Sequence, residues 1–379
     1  MQTTIWTPET AVERAPDAAG VVLYRGRQAV LAQASRLAAL SRSCGQAAAL
    51  DDLTYLLERP GFRNKRPTLL WVNTPGVSGA VLVYETVVRG LATRVFTADY
   101  HGAERCVLAP PDARWLVGLH AAAALLRSGA LVAHIACLQQ VAAEPCEAEA
   151  ALAGMRGSWT MQPRPMTGYL PILPEIDDTL AQLGKHTRRN MRLYKRRGEA
   201  DLGAVLVVNP VVERDEFLQM NRLGPYPAPE SLAAWRFEAA TRFAENRLYL
   251  GLRAADGRWL SLIGGRERAG RVEIEWQMNR HDLPDYSLSV LMRLYLLEYM
   301  VEHRMERLYF QAGTTHSIRN SMVPEVWTDL VAVRHRLPRA LLRPFAPKDD
   351  TEPEFLLKVM LDETLVWHRP QTAGAATVE

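Results

Sequence analysis

Polar and apolar positions alternate most clearly between residues 247 and 311. The spacing predicts a strand, a long hairpin, a charged bend, an amphipathic helix and a further strand. The hairpin arms are Trp259–Arg268 and Arg271–Met278, turning at Ala269-Gly270. Period-two alternation puts Glu273, Glu275 and Gln277 on one face and Val272, Ile274, Trp276 and Met278 on the other. A bend follows at Arg280-His281-Asp282-Leu283-Pro284-Asp285. Leu288, Leu291, Met292, Tyr295 and Tyr299 then recur at helical spacing, so a helix is expected from about Ser287 to His303. Asp285 or Ser287 is placed to cap its first turn, and Leu308-Tyr309-Phe310 is the closing strand.

The N-terminal half repeats this order without repeating the sequence. Thr68–Val72 reads as a strand, and Ala80–Val88 with Ala92–Ala98 as a hairpin around Arg89-Gly90-Leu91. After Pro110-Pro111, Asp112 is expected to cap a helix from Ala113 to Leu126. Gly129 ends it, and Leu131–Cys137 is an apolar strand. Trp115–Leu138 is apolar-rich, but Arg127-Ser128-Gly129 interrupts it well short of a bilayer span, so it reads as a buried helix and a buried strand. Two α/β lobes follow, expected at residues 1–160 and 161–345, with an extension at 346–379.

Between them Leu180–Arg197 reads as one helix in which Lys185, Arg188, Arg189, Arg192 and Arg196 share a face and no acid interrupts the run after Asp178. Such a face attracts phosphates, whether of a cofactor or of an RNA backbone. It carries no interleaved aromatic residues on which bases would stack, which argues against sequence-specific RNA reading.

Composition changes this picture little. The 379 residues are 48% hydrophobic and 23% charged with net charge +3, a globular balance that does not itself imply nucleic acid. The four cysteines, Cys44, Cys106, Cys137 and Cys146, have neither metal-ligand nor redox spacing. Free thiols in a reducing cytoplasm are therefore expected, and no metal. The first residues show no basic stretch followed by an apolar core, so no secretory signal is read there. Neither a phosphate-binding Gly-x-x-x-x-Gly-Lys-Ser/Thr loop nor a Gly-x-Ser-x-Gly nucleophile turn occurs.

The stretch Leu173–Arg197, with Leu-Gly-Lys-x-Thr-Arg-Arg-Asn-x-Arg-x-x-x-Arg-Arg at its centre, resembles a signature of tandem GNAT acyltransferases. That branch includes CelD-like proteins of polysaccharide gene clusters and, more distantly, the FemAB peptidyl transferases. Arg247–Met322, with Leu-Tyr-Leu-Gly-Leu-Arg, the hairpin, the helix and Tyr309-Phe310-Gln311-Ala312-Gly313, resembles the same group. The resemblance implies two tandem lobes, each a mixed, mainly antiparallel sheet with flanking helices. It also implies acyl-CoA as donor, and an amino sugar, amino acid or polysaccharide precursor as acceptor. It places the cofactor at Met278, Asn279, Arg280, Ser287, Leu288 and Ser289, with Arg188 and Arg189 on its phosphates, and the acceptor at Gln277 and Arg319. Glu275 is the leading base, with His281 and His316 as alternatives and Tyr286 as a proton donor to the leaving thiolate. Backbone amides near Asn279–Arg280 are expected to polarise the thioester.

The chain departs from the family pattern in one important place. A glycine-rich turn, or Ser-Pro-Gly, is usual before the pyrophosphate-binding helix, and Ser287-Leu288-Ser289 stands there instead. Two rival readings stand beside acyl-CoA transfer. One is a Fem-like transferase using aminoacyl-tRNA. The other is a degenerate, non-catalytic GNAT pair that only binds.

Overall fold

The structure is a computed structural model. It describes residues 11–14, 20–44, 57, 65–88, 90–98, 106–138, 157–242, 247–268, 270–310 and 316–334. The expected extension at 346–379, the turn residue Ala269 and Gln311–Gly313 lie outside the described residues. Contacts divide the chain into two units. Unit 1 is Met1–Arg164 with Val326–Glu379, and unit 2 is Pro165–Glu325. The break thus falls at 164/165 and 325/326, where 160/161 and 345/346 were expected.

In unit 1 the strands are Ala11–Arg14 (β1), Val21–Arg25 (β2), Lys65–Thr74 (β3), Val77–Val88 (β4), Leu91–Ala98 (β5), Val107–Leu108 (β6) and Val132–Leu138 (β7). Short helices Arg27–Leu31 (α1) and Ala34–Ser43 (α2) follow β2, and Arg114–Arg127 (α3) precedes β7. The strands run antiparallel from β1 to β5, and β5 then pairs with β7 in parallel, Val95 opposite Val132. A parallel neighbour needs a crossover, and α3 supplies it. The helix is buried along most of its length, from Trp115 to Leu126. Asp112 does not cap it: the N-cap is Ala113, and the Pro110 carbonyl accepts the amides of Ala113 and Arg114.

Unit 2 begins within Ser158–Pro171 (β8) and continues with helices Ile176–Ala181 (α4), Lys185–Leu202 (α5), Arg214–Leu223 (α6) and Glu230–Arg242 (α7). Its other strands are Val205–Val208 (β9), Arg247–Arg253 (β10), Trp259–Arg268 (β11), Arg271–Asn279 (β12) and Arg307–Phe310 (β13), with helix Leu288–Glu302 (α8) between the last two. The sheet order is β8-β13-β12-β11-β10-β9, antiparallel except for β12 and β13. Val323–Val333 (β14) pairs with β7, so the residues from Val326 complete the sheet of unit 1.

The expected single helix over 180–197 is two helices. Gly184 is extended (ψ 146) and opens α5, while the Thr179 hydroxyl and the Gln182 amide are tied to the backbone of Leu173 and Pro171. Charge periodicity ran through that break because a lone glycine does not interrupt it.

Two apolar cores sandwich the sheet of unit 2. On one face α4, α5 and α8 contribute Leu180, Met191, Leu291 and Leu294; on the other α6 and α7 contribute Phe217 and Ala233. Helices α5 and α8 approach closely at Gly198, where a methyl group would come within 2.6 Å of Leu291. Among the described residues, no helix is long and apolar enough to cross a membrane.

Candidate functional site

The site in unit 2 is made by a defect in β12. Opposite the consecutive residues Gly264 and Gly265 of β11 stand Trp276 and Ile274, so Glu275 is an extra residue in the ladder, a β-bulge. Glycines are required there. A Cβ on Gly264 would strike the Trp276 indole, and one on Gly265 would strike the Glu273 carbonyl.

The bulge overturns the expected two-faced strand. Val272 and Ile274 pack into the core under α8, whereas Trp276 and Met278 pack into the opposite core against Phe217, Tyr249 and Trp259. Glu273, Glu275 and Gln277 therefore do not share one face. The extra residue moves the following side chains across the sheet.

The parallel pairing of β12 with β13 runs from Arg271–Arg307 to Ile274–Phe310, whereas β12 stays paired with β11 as far as Asn279. Glu275 is the first residue past the described parallel pairing. It is half-buried, and burial pushes its carboxyl up to about 8. Gln277 and Asn279 come together with the start of α8. Asn279 Oδ1 accepts from Ser261 Oγ at 2.8 Å and from Gln277 Nε2 at 3.1 Å, and Gln277 Nε2 also reaches the Ser289 carbonyl at 3.5 Å. The Met278 side chain belongs to the core, and its carbonyl accepts from Ser261. The Arg280 amide donates to the Leu260 carbonyl at 2.9 Å, so it is not available to polarise a thioester as expected. Arg280 is held by Asp282, which raises its pKa further.

Helix α8 begins from an unusual residue. Ser287 is left-handed (φ 42, ψ 56), and neither its side chain nor that of Asp285 caps the helix. Its carbonyl accepts the amides of Val290 and Leu291, leaving those of Leu288 and Ser289 as the first-turn donors. The Leu288 side chain is in the core, so only its backbone can serve a ligand. Tyr286 lies in a short 3-10 turn, Pro284–Tyr286, beneath the Arg197 guanidinium at 5.3 Å. Arg197 also donates to the Asp285 carbonyl at 3.3 Å. His281 is exposed in the bend beside Arg280 and Asp282.

His316 is half-buried and caps a second 3-10 turn, Ser317–Ser321, by accepting the Ile318 amide on Nδ1. That bond leaves the proton of the neutral ring on Nε2, so the ring is a donor rather than a base. Burial and the nearby Arg293 charge hold its pKa down, to about 4. The Thr187 and Ser317 hydroxyls are 2.8 Å apart, which brings the start of α5 against this turn. Arg188 follows Thr187 and is half-buried; Arg189 and Arg319 are exposed.

The basic run of α5 is only partly uncommitted. Arg192 pairs with Asp177 at 2.6 Å, and Lys195 with Glu298 at 2.7 Å. Both acids are supplied by neighbouring helices. No ion pair of Arg188, Arg189 or Arg196 occurs among the described residues. Arg293 was not anticipated. It is the only cation of α8, and a lone cation in so apolar a run was the available signal. Among the described residues, no group of three His, Cys, Asp or Glu side chains is placed to hold a metal ion.

No protein-family model matches the sequence, and no curated protein matches it significantly. Solved structures do. FemX superposes with a TM-score of 0.51 at 11% identity, over 82% of this chain and 98% of its own. L-PGS from Bacillus licheniformis gives 0.50 at 13%, over 86% and 95%. A tandem GNAT protein from the clavulanic acid biosynthesis pathway gives 0.40 at 15%, over 83% and 99%. At these identities the likeness is one of fold. The chain shares with FemX and L-PGS a fold of two α/β units, each a mixed, mainly antiparallel sheet with flanking helices.

Proposed function

We propose that unit 2 transfers an acyl group from a CoA-type thioester to an amine, or to a hydroxyl, of a small polar acceptor. The observation that supports this best is Glu275. It stands on a glycine-enforced bulge, beyond the described pairing with β13, with its carboxyl at about 8. In the reaction the acceptor nitrogen attacks the thioester carbonyl carbon. The carbon–sulfur bond breaks, the sulfur leaves as thiolate and takes a proton, and the nitrogen gives up one. Glu275 receives the nitrogen's proton. A base with a pKa near the working pH is well matched to that task. The first-turn amides of Leu288 and Ser289 suit the donor diphosphate, because a helix N-terminus presents unsatisfied N–H groups and positive potential. Arg188 and Arg189 add cations on the donor side, and Gln277 and Arg319 are the acceptor candidates. An amino sugar, an amino acid or a polysaccharide precursor fits this reading, as does a cytoplasmic setting.

Calorimetry with acetyl-, medium- and long-chain acyl-CoA tests it. Binding of one class is expected, weakened in Arg188→Ala/Arg189→Ala by about 1.5–3 kcal/mol for each arginine that meets phosphate. No heat at millimolar concentration of any of the three would sink the donor assignment.

A second reading is aminoacyl transfer from tRNA, favoured by the fold likeness to FemX over nearly the whole of that chain. Activity that disappears on RNase treatment, and tRNA binding that outlasts removal of CoA, would select it.

A further inference from the structure

We infer that Arg293 is an anion-recognition residue of unit 2, holding a phosphate group of a ligand beside the end of β13 and the His316–Ser317 turn. The inference deepens the proposed function by naming a contact for a phosphorylated substrate, but its test does not depend on which substrate that is.

Arg293 occupies the sixth position of α8, a largely apolar helix with no other cation. Its guanidinium lies 5.4 Å from the centroid of the Phe310 ring, at the last described residue of β13 and so at the end of the described parallel pairing. Its Nε is shielded from solvent and has no hydrogen-bond acceptor. Stacking on Phe310 offsets part of the cost of burying this cation but offers Nε nothing to bond.

Burial pushes the guanidinium down to about 10, which still leaves it charged at neutral pH. A half-buried charge of this kind is costly, and structural arginines are normally relieved by a carboxylate. None pairs with Arg293 among the described residues. The carboxyl nearest in the ladder, Glu275, follows Ile274 at the end of the same pairing, and burial keeps it largely protonated at neutral pH. Arg188 and Arg319 flank the Thr187–Ser317 contact, and His316 beside it is neutral. Two hydroxyls and a guanidinium that no carboxylate pairs among the described residues match the acceptor-only oxygens of a phosphate, and the guanidinium fork engages two of them at once. The phosphate has two natural sources, the diphosphate of a nucleotide-linked donor or a phosphorylated acceptor.

The test is calorimetry of the full chain with inorganic pyrophosphate, acetyl-CoA and a hexosamine phosphate, for wild type and Arg293→Met. Pyrophosphate affinity is expected to fall about tenfold or more in the variant, while its melting temperature equals or exceeds that of wild type, because an uncompensated charge has been removed. A parallel loss for acetyl-CoA alone assigns the phosphate to the donor, and for the hexosamine phosphate alone to the acceptor. If wild type binds pyrophosphate through Arg293 but not acetyl-CoA, the donor assignment fails and this inference stands. Equal pyrophosphate affinity in both proteins, or none in wild type, overturns it. If Arg293→Met does not fold, the wild-type His316 resonance gives the answer. Pyrophosphate neutralising Arg293 raises the His316 pKa, and an unmoved titration overturns the assignment.

Discussion

Both units contain the same device, a strand, a crossover helix and a parallel strand, and they treat its polar groups oppositely. In unit 1 it is sealed. Arg114 is buried and donates to the Ala109 carbonyl, and the Pro110 carbonyl closes the turn before α3. Gly79 lies so near α3 that a methyl group there would come within 2.7 Å of Val117. His134 on β7 and Asp329 on β14 meet at 2.9 Å with no exposure. In unit 2 the strand carries a bulge, a carboxyl raised to about 8, and, from the crossover helix, a guanidinium whose Nε bonds nothing. The charged groups of the unit 1 element are bonded internally, and its orphan polar atom on α3 is the neutral indole N–H of Trp115.

The contrast is broken or sharpened most strongly at Glu275. Glu275→Gln is expected to lower turnover about 10²–10⁴-fold while donor affinity stays within about twofold, since the carboxylate acts on the acceptor. Wild-type turnover should fall tenfold per pH unit below about 8, as the base becomes protonated. Stability should move the other way. Because the folded pKa is raised, the unfolded chain releases this proton first, and stability falls as pH rises from about 4.5 to 8. Glu275→Gln removes that loss, on the order of 4 kcal/mol, so its melting-temperature gain should appear at pH 8 and vanish at pH 4. Full turnover by the variant from pH 6 to 9 would remove Glu275 as base.

The counterpart in unit 1 is the buried pair. Asp329→Asn or His134→Leu is expected to cost about 1–3 kcal/mol in denaturant unfolding, because a fully buried side-chain hydrogen bond is lost. Turnover per folded molecule should not change. A turnover loss like that of Glu275→Gln would make unit 1 part of the chemistry and end the contrast.

The glycines discriminate more finely. Gly265→Ala and Gly79→Ala each force a backbone or side-chain shift costing about 1–3 kcal/mol. Only Gly265→Ala should also displace Glu275, seen as a shift in the acid limb of the pH–rate profile. Equal profiles for the two variants would mean that the bulge does not set the Glu275 environment.

How much of this was legible follows from the range of each interaction. The β11–β12 hairpin, α8 and the apolar crossover of unit 1 were visible because their apolar residues recur at strand spacing or run unbroken between turn residues. The bulge was not, since Arg271–Asn279 alternates without a break and the switch of core at Glu275 preserves the pattern. The return of β14 to β7 links residues nearly 200 apart and leaves no local trace. Asp112, Asp285 and Ser287 were correct residue types for caps, but their local backbone does not use them as caps. The acid partners of Arg192 and Lys195 come from other helices, so a run that looked unopposed was in part neutralised.

The smallest effect concerns the missing glycine. Ser287 precedes α8 at φ 42, where an L-residue is disfavoured by about 1–2 kcal/mol, whereas Ala113 precedes α3 at φ −93, where it is not. The same substitution should therefore have opposite signs in the two units. Ser287→Gly should stabilise by about 1 kcal/mol, a melting-temperature gain of about 2–4 °C. Ala113→Gly should destabilise by about 0.5–1 kcal/mol through the added freedom of the unfolded chain. Because no bond of the Ser287 side chain caps the helix, the glycine loses nothing at the first turn, and acyl-CoA affinity should hold or rise as the Leu288 and Ser289 amides become easier to approach. A stabilised Ser287→Gly protein with unchanged or tighter donor binding would show that the serine is tolerated strain at a working site. Looser binding in that stabilised protein would show instead that the left-handed serine is itself part of the donor pocket.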